Sequence, residues 1–212
     1  MRTLYCYVTV LVFSLSVAAA NAADIKLPPP QKKGGPALFD SMDRRSSPGQ
    51  REFPVGDLAN EDLSTILWAA TGNNRDSNKW TVPMAMGRPP YCRIYLTTKS
   101  GVYLYDWKKH SLDQIDTKDM RTEIPLQQFA KEVPAALYIV TDGKALEALN
   151  DPLTSEGGAV LAGAMSQNIY LACEGVGVGA RLVYSIKRDI ASKAFKLPVQ
   201  DKVLFAILLG KK

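Results

Sequence analysis

The longest helical pattern in the chain is SEGGAVLAGAMSQNIYLACEGVG, residues 155–177. Apolar residues recur in it at intervals of three and four, which predicts a helix with one apolar face. Asn168 falls on that face, where its amide must find hydrogen-bond partners or destabilise the fold. Small residues at Gly158 and Gly163 leave room for a close neighbour. We therefore expect a central helix whose apolar face consists of Val160, Leu161, Ala164, Met165, Ile169, Ala172 and Cys173.

Alternating and continuous apolar runs predict the strands. RIYLTT (93–98) and GVYLYD (101–106) flank the turn residues Lys99 to Gly101, which is the pattern of a hairpin. AALYIVTD (135–142) is apolar almost throughout and predicts a central strand. Two further strands are expected in ARLVYS (180–185) and KVLFAILLGKK (202–212).

Most of the other periodic segments predict short helices. One runs from Pro36 to Arg44, because proline suits the first position of a helix. Asn60 is a suitable N-cap for EDLSTILWAAT, and Gly72 ends that helix. Others are expected in LQQFAKE (126–132), KALEALN (144–150) and KRDIASKAF (187–195). This mixture of elements predicts an α+β domain.

The composition permits a substantial core and limits the class of ligand. Hydrophobic residues make up 46% of the 212 residues and charged residues 22%, which argues against global disorder. The net charge of +5 is spread along the chain, so no nucleic-acid partner is indicated. The sequence contains no Walker, GxSxG or HExxH motif, and GVGVGA follows a helix where a dinucleotide-binding turn would follow a strand. The modest positive net charge is most compatible with a small anionic ligand.

The first residues have the form of an export signal. Arg2 precedes an apolar run from Leu4 to about Val17, and Ala20-Asn21-Ala22 is a small-x-small cleavage pattern. The run is shorter than the roughly 20 residues that span a bilayer. We expect residues 1–22 to be a signal peptide, with a retained anchor as the alternative. The mature protein is then periplasmic or secreted, without stable membrane insertion.

Residues 23–35 are rich in proline, lysine and glycine, which is typical of a linker. The folded domain is therefore expected at 36–212.

Cysteine and histidine are scarce, which limits the metal chemistry. Cys92 and Cys173 remain after cleavage; an exported protein can pair them, but Cys173 also fits a small buried hydrophobe. His110 is the sole histidine and no CxxC occurs, so no metal site is indicated. We expect a structural role for His110 rather than catalysis. Trp80 is expected to pack in the core, with the border of a substrate pocket as the alternative.

Arginines and serines concentrate in MDRRSSPGQREF, residues 42–53, which we call the arginine–serine segment. Adjacent guanidinium groups and a hydroxyl suit a phosphate, which takes charge-assisted hydrogen bonds. The same composition also fits a solvated basic loop. The residues by themselves leave both interpretations open.

A resemblance to the nitroreductase family, in particular its SagB-type dehydrogenase branch, is carried by four stretches in order: RRSSPGQREF, EDLSTILWAATGNNR, TVPMA with IYLTTKSGVYLYDWKKHSL, and AGAMSQNIYLACEGVGVGARLVY. With the closing VLFAILLG it covers roughly residues 38–210. The resemblance implies an α+β sandwich with a central mixed or antiparallel sheet and a long buried helix. It also implies an intertwined homodimer that binds flavin mononucleotide (FMN) at the interface.

The resemblance also implies which residues hold the phosphate end of FMN. Arg44, Arg45 and Ser46 are expected at the phosphate and ribityl chain. Lys211 is expected to complete the phosphate site, in place of basic residues that many relatives carry further on.

At the ring end, Pro83, Met84 and Ala85 match a proline-serine-alanine loop that reaches the flavin from the partner subunit. Met84 lacks the hydroxyl of that serine. Backbone N–H groups near Val183 and Tyr184 are expected at the isoalloxazine edge. Tyr184 stands where a glycine is common, so its phenol either crowds the ring or stacks on it.

The implied function is that of an exported FMN-dependent oxidoreductase that transfers hydride between flavin and a small organic substrate. Hydride transfer requires no side-chain acid or base, so no catalytic residue is assigned. Nicotinamide cofactors are scarce outside the cytoplasm, which favours a dehydrogenase of an organic substrate or an enzyme reduced by a protein partner. The alternative, suggested by Met84 and Tyr184, is a non-catalytic binding or interaction protein with the same fold.

Overall fold

An antiparallel sheet runs through the centre of the molecule and carries helices on both faces. The computed structural model describes residues 24–75, 79–83, 89–149 and 154–212; the expected signal peptide, Met84 and Ala85 lie outside these ranges. The strands are β1 (Ile25–Lys26), β2 (Cys92–Thr98), β3 (Gly101–Asp106), β4 (Ser111–Asp116), β5 (Ala135–Thr141), β6 (Val178–Val183) and β7 (Lys202–Lys211). The helices are α1 (Leu38–Arg44), α2 (Asn60–Thr71), α3 (Gly143–Glu147), α4 (Thr154–Gly175) and α5 (Arg188–Ala194), with 3-10 turns at Gln50–Glu52 and Gln128–Lys131.

The strand order is β1-β4-β3-β2-β5-β7-β6, with every neighbouring pair antiparallel. β5 lies inside the sheet, which confirms the prediction from its apolar run. β2 and β3 form the predicted hairpin, with Thr98 opposite Gly101. β1 and β4 were not predicted, because β1 has only two residues and β4, SLDQID, mixes polar residues into a short strand beside it.

Two hydrophobic clusters, one on each face of the sheet, hold the layers together. Successive side chains of a strand point to opposite faces. Leu96 and Leu137 therefore belong to the cluster under α2 and α4, whereas Tyr95 and Tyr138 belong to the cluster under α5. Helices on both faces of one antiparallel sheet confirm the α+β prediction.

α4 is the buried central helix that its apolar spacing predicts. Leu161, Met165, Ile169 and Cys173 are buried against the sheet and α2. Val160 does not join them: its side chain is 71% exposed, so its expected place on the apolar face was wrong. The buried face of α4 is therefore narrower than the apolar face that the sequence pattern predicts.

Asn168 finds the partners that a polar amide facing a core requires. Its Nδ2 donates to the carbonyl oxygens of Ala69 and Thr81 at 3.0 and 3.2 Å. The side chain thereby joins α4 to α2 and to the chain that follows it.

Two helix starts differ from the sequence pattern. α2 begins at Asn60, whereas Asn60 was expected to cap it; Ala59 precedes the helix and its backbone N–H donates to the Asp62 carboxylate at 3.4 Å. α1 begins at Leu38, two residues after the expected start at Pro36.

The segment expected to be a linker lies against the domain. β1 within it pairs with β4, and Leu27 is buried. His110 holds the next residues in place: its Nε2 lies 2.7 Å from Ser64 Oγ and 3.2 Å from the carbonyl oxygen of Pro28, while Tyr105 Oη lies 2.9 Å from its Nδ1. These contacts support the structural role expected for His110.

The two described cysteines are free and buried. Burial raises the pKa of the Cys92 thiol to about 12 and also raises that of Cys173, so both stay protonated at neutral pH. Trp80 is buried and packs edge-on against Trp107, with ring centroids 5.7 Å apart, as expected of a core residue.

Candidate functional site

The sheet has a notch at its β6 edge. β7 begins at Lys202, but β6 pairs with it only as far as Val183 opposite Ala206. Within the described residues, no strand lies beside residues 202–205 of β7 on this side. α4, α5 and the end of β6 surround the notch and leave a cavity of about 760 Å³, which we call the notch cavity.

Aromatic rings and a glycine shape the walls of the notch cavity. Tyr184 packs edge-on against Phe205 with ring centroids 5.6 Å apart, and its side chain is 63% exposed at the rim. On the α4 side, Gly163 and Tyr170 contribute to the lining. A Cβ placed on Gly163 would meet no described atom within 4 Å, so the helix leaves space there. The cavity is therefore bordered by aromatic side chains and by a helix position without a side chain.

Two charged side chains of the lining, Arg188 and Asp201, already have partners, and the exposed Lys202 also lines the cavity. Arg188 donates to the carbonyls of Val203, Leu204 and Tyr184 at 3.1, 2.9 and 3.4 Å, which satisfies backbone acceptors near the notch. Asp201 pairs with Arg93 and accepts the N–H of Gly143 at 2.9 Å. Neither side chain stands free to act as an acid or base in the cavity.

Tyr170 joins the arginine–serine segment to the notch cavity. Its hydroxyl accepts the backbone N–H of Leu182 at 2.8 Å and lies 2.9 Å from Ser47 Oγ. The guanidinium of Arg45 lies over the Tyr170 ring, 5.3 Å from its centroid, in a cation–π contact. One end of the cavity is therefore flanked by an arginine from the predicted phosphate-binding segment.

Close backbone packing fixes the path of this segment. Pro54 crosses the ends of β6 and β7, where a Cβ on Gly210 would lie 1.8 Å from its carbonyl oxygen and one on Gly179 2.4 Å from its Cγ. Only glycine permits such an approach. Arg181 also donates to the Pro48 carbonyl at 2.7 Å.

A group of cations and one carboxylate lies at the C-terminal end of α4. Arg44 Nε is 3.6 Å from one carboxylate oxygen of Glu174, and Lys212 Nζ is 2.7 Å from the other. Lys211 is turned to a different partner: its Nζ donates to both carboxylate oxygens of Asp62 at 2.9 Å and to the Val176 carbonyl at 2.7 Å.

The remaining predicted site residues lie in different surroundings. Ser46 is exposed, and within the described part of the chain the hydroxyl that contacts the cavity wall belongs to its neighbour Ser47. Val183 is buried in the cluster under α5, so only its backbone can face a ligand. Pro83 is exposed, whereas Met84 and Ala85 fall outside the described residues.

The residues present fit a flavin phosphate. The notch cavity offers aromatic walls for a ring system, and Arg45 supplies a cation beside it. Arg44 and Lys212 lie at Glu174, one helical turn from Tyr170. None of these three cations lines the notch cavity itself or a second cavity of about 370 Å³ between α2 and α4; Arg45 is connected to the notch cavity through its contact with Tyr170. Among the residues that the structure describes, no group of side chains could hold a metal ion, and no helix is long and apolar enough to cross a membrane.

Sequence reasoning noted Gly163 as a small residue of α4 but missed Gln167, Tyr170 and Glu174, whose side chains lie at the site. Gly163, Gln167, Tyr170 and Glu174 recur at intervals of three and four, so they share one side of the helix. This second stripe, of small and polar residues, is visible in the sequence beside the apolar face. Phe205 carried no such signal, because it lies within a continuous apolar strand.

Solved structures with similar folds are nitroreductases and related enzymes. A nitroreductase candidate from Ralstonia eutropha is 28% identical, with 89% of each chain covered and a TM-score of 0.80. The nitroreductase CinD from Lactococcus lactis, solved in complex with 4-nitrophenol, is 16% identical, with 82% of this chain and 89% of CinD covered and a TM-score of 0.58. A chain of the Escherichia coli microcin synthetase McbBCD complex is 13% identical over 100% of this chain and 78% of its own, with a TM-score of 0.66.

No curated protein matches the sequence significantly. The model of the nitroreductase family matches residues 42–211, from the arginine–serine segment to the end of β7. The chain therefore belongs to the nitroreductase family, a family of oxidoreductases.

Proposed function

We propose that the protein is an FMN-dependent oxidoreductase that exchanges hydride with a small organic molecule in the notch cavity. The observation that carries this proposal is the contact between Arg45 and Tyr170, which brings a guanidinium group to a residue of the cavity wall that Tyr184 and Phe205 also line. Family membership supports the oxidoreductase class.

Each part of the site has a distinct task in this proposal. Bound flavin supplies the two-electron chemistry, which the protein itself lacks. Arg45 holds the phosphate by charge-assisted hydrogen bonds. Tyr184 and Phe205 wall the ring system, and backbone N–H groups near Tyr184 stabilise negative charge on it.

We propose hydride transfer rather than acid–base chemistry because two acid–base candidates among the described residues are held by other partners. Asp201 is held by Arg93 and Gly143 N–H, and the sole histidine, His110, is bound to Ser64 and Tyr105. The proposed substrate is a small planar organic molecule that stacks in the remaining space. Because CinD was solved with 4-nitrophenol, that compound is the first electron acceptor to test.

We further propose that the protein is exported and oxidises an organic substrate, as in the SagB-type branch. The order of the four resembling stretches and the signal-like residues 1–22 support this. Expression of the full chain in a bacterium and N-terminal sequencing of the periplasmic product tests export. A product that begins near Ala23 supports it, and a full-length cytoplasmic product contradicts it.

The central test of the proposal is flavin binding. Purified protein mixed with FMN should quench the flavin fluorescence and retain a yellow colour after gel filtration. Arg45→Ala should weaken FMN binding by about tenfold or more, since a hydrogen bond to a charged group contributes roughly 1.5–3 kcal/mol. Arg51→Ala, which changes an exposed arginine in the adjacent 3-10 turn, is the matched control.

The redox step is tested on the same complex. After reduction with dithionite without oxygen, 4-nitrophenol should restore the oxidised flavin spectrum. A colourless protein that leaves FMN fluorescence unchanged contradicts the proposal and favours the non-catalytic alternative.

A further inference from the structure

Glu174 is the buried member of a three-residue charge cluster. Its side chain is 14% exposed, whereas those of Arg44 and Lys212 are 55% and 42% exposed. One carboxylate oxygen faces each cation, at 3.6 Å from Arg44 Nε and 2.7 Å from Lys212 Nζ. The carboxylate thus occupies the position between two cations that an anion from outside would take.

The cluster lies close to the arginine that stacks on Tyr170. Tyr170 and Glu174 are four residues apart on α4, so their side chains share one side of the helix. Arg45 has no carboxylate partner among the described residues, while Arg44, next to it in the chain, pairs with Glu174. Of these three cations, Arg45 lies on the Tyr170 ring without a carboxylate partner among the described residues, whereas Arg44 and Lys212 pair with Glu174.

Lys211 does not compensate for this neutralisation. Its ammonium donates to both oxygens of Asp62 and to the Val176 carbonyl, which accounts for all three of its N–H groups. Of the two lysines at this end of β7, Lys212 is therefore the one that a phosphate can contact. It can do so only when the ion pair between Lys212 and Glu174 is broken.

We propose that Glu174 competes with the ligand phosphate for Arg44 and Lys212 and so sets how strongly the site prefers a phosphorylated ring compound over its unphosphorylated form. This inference rests on the proposed flavin site. A phosphate dianion beside Glu174 must replace the carboxylate at both cations and also meets its negative charge. The unphosphorylated compound meets neither obstacle.

The experiment compares FMN with riboflavin, which carries the same ring without the phosphate. Dissociation constants for both are measured by fluorescence quenching in the unchanged protein, Glu174→Gln and Glu174→Gln/Lys212→Gln. Asp113→Asn, in β4 near the opposite edge of the sheet, is the control for loss of one negative charge. A thermal unfolding curve for each variant confirms that it is folded.

Glu174→Gln should tighten FMN binding by about tenfold, because two cations become free for charge-assisted hydrogen bonds. Riboflavin binding should stay within about twofold of the original. Adding Lys212→Gln should remove part of the gain, because Arg44 stays free, and Asp113→Asn should change neither constant.

Three results would overturn the inference while leaving the flavin site intact. In the first, Glu174→Gln leaves the dissociation constant of FMN unchanged. In the second, it weakens FMN binding. In the third, it tightens the binding of FMN and riboflavin by the same factor. If neither flavin binds to any variant, the proposed function itself is wrong and this inference falls with it.

Discussion

Tyr170 makes three contacts, two with the arginine–serine segment and one with β6. Its hydroxyl meets Leu182 N–H and Ser47 Oγ, and its ring carries the Arg45 guanidinium. A phenol serves all three because its edge is polar and its face attracts cations. The phosphate end of the candidate site is therefore organised by a residue that the resemblance did not indicate.

At the ring end, Tyr184→Ala should weaken the binding of FMN and riboflavin alike. The Tyr184 ring packs on Phe205 at the cavity rim, and an aromatic contact of this kind contributes about 0.5–1.5 kcal/mol, or roughly two- to tenfold in affinity. Fluorescence quenching with both flavins measures the change. Tyr184→Phe keeps the ring and should bind as before; tighter binding by Tyr184→Ala would mean that the phenol crowds the site.

His110 should make stability fall as the pH drops below about 6.5. Burial lowers the pKa of its imidazole below the ordinary value of about 6.5, so the unfolded chain takes up the proton first as the pH falls. Its contribution to stability is complete above pH 6.5 and is lost as the pH drops through the lowered pKa.

Thermal unfolding of untagged protein at several pH values measures this dependence. His110→Gln is the control, because the chain contains no other histidine. An equally steep pH dependence in that variant would assign it to other groups.

At the scale of elements, two faces of α4 have different roles. One is buried against the sheet, and the other carries Gly163, Tyr170 and Glu174 toward the notch cavity and the cations. Glycines on the two faces consequently have different surroundings. A Cβ on Gly158 would lie 2.8 Å from Thr141 Cγ2, whereas one on Gly163 would meet no described atom within 4 Å.

Gly163→Ala should stabilise the ligand-free protein by up to about 1 kcal/mol, since alanine is the better helix former. Gly158→Ala should stabilise it less or destabilise it, because Thr141 must move. Urea unfolding of the two variants side by side checks the difference. The prediction is wrong if Gly158→Ala proves the more stable of the pair.

At the scale of the whole molecule, apolar side chains are exposed on α1 and α4. Leu38, Phe39 and Met42 of α1 are 60%, 81% and 50% exposed, and Val160 of α4 is 71% exposed. Large exposed apolar residues grouped on one short helix are typical of an interaction surface. A homodimer, expected from the family resemblance, would cover them.

The protein should therefore sediment as a dimer, and Phe39→Asp should shift it toward the monomer. A charge placed in a buried interface is unfavourable unless it is paired. Analytical ultracentrifugation checks the mass of both forms. Val199→Asp, at another exposed apolar residue, is the control and should remain dimeric. A monomeric unchanged protein would contradict the prediction.

Local patterns were sufficient for most of the elements. The spacing of apolar residues predicted α4, and the turn at Lys99 and Ser100 predicted the hairpin of β2 and β3. Such patterns work because a helix or strand buries residues at its own repeat distance. They failed for β1 and β4, whose pairing depends on the neighbouring strand more than on their own composition.

The sequence by itself determined the fold class, the central helix and the arginine–serine segment. Each of these depends on a pattern of residues that are close together along the chain. Only the tertiary structure decided that Ser47 contacts the cavity wall through Tyr170, that Lys211 pairs with Asp62, and that Glu174 lies between Arg44 and Lys212. The partners in these contacts are more than a hundred residues apart along the chain, except for Lys212 and Glu174. Charges and hydroxyls of the same type are interchangeable in a sequence, and only their distances in the folded chain decide which of them meet.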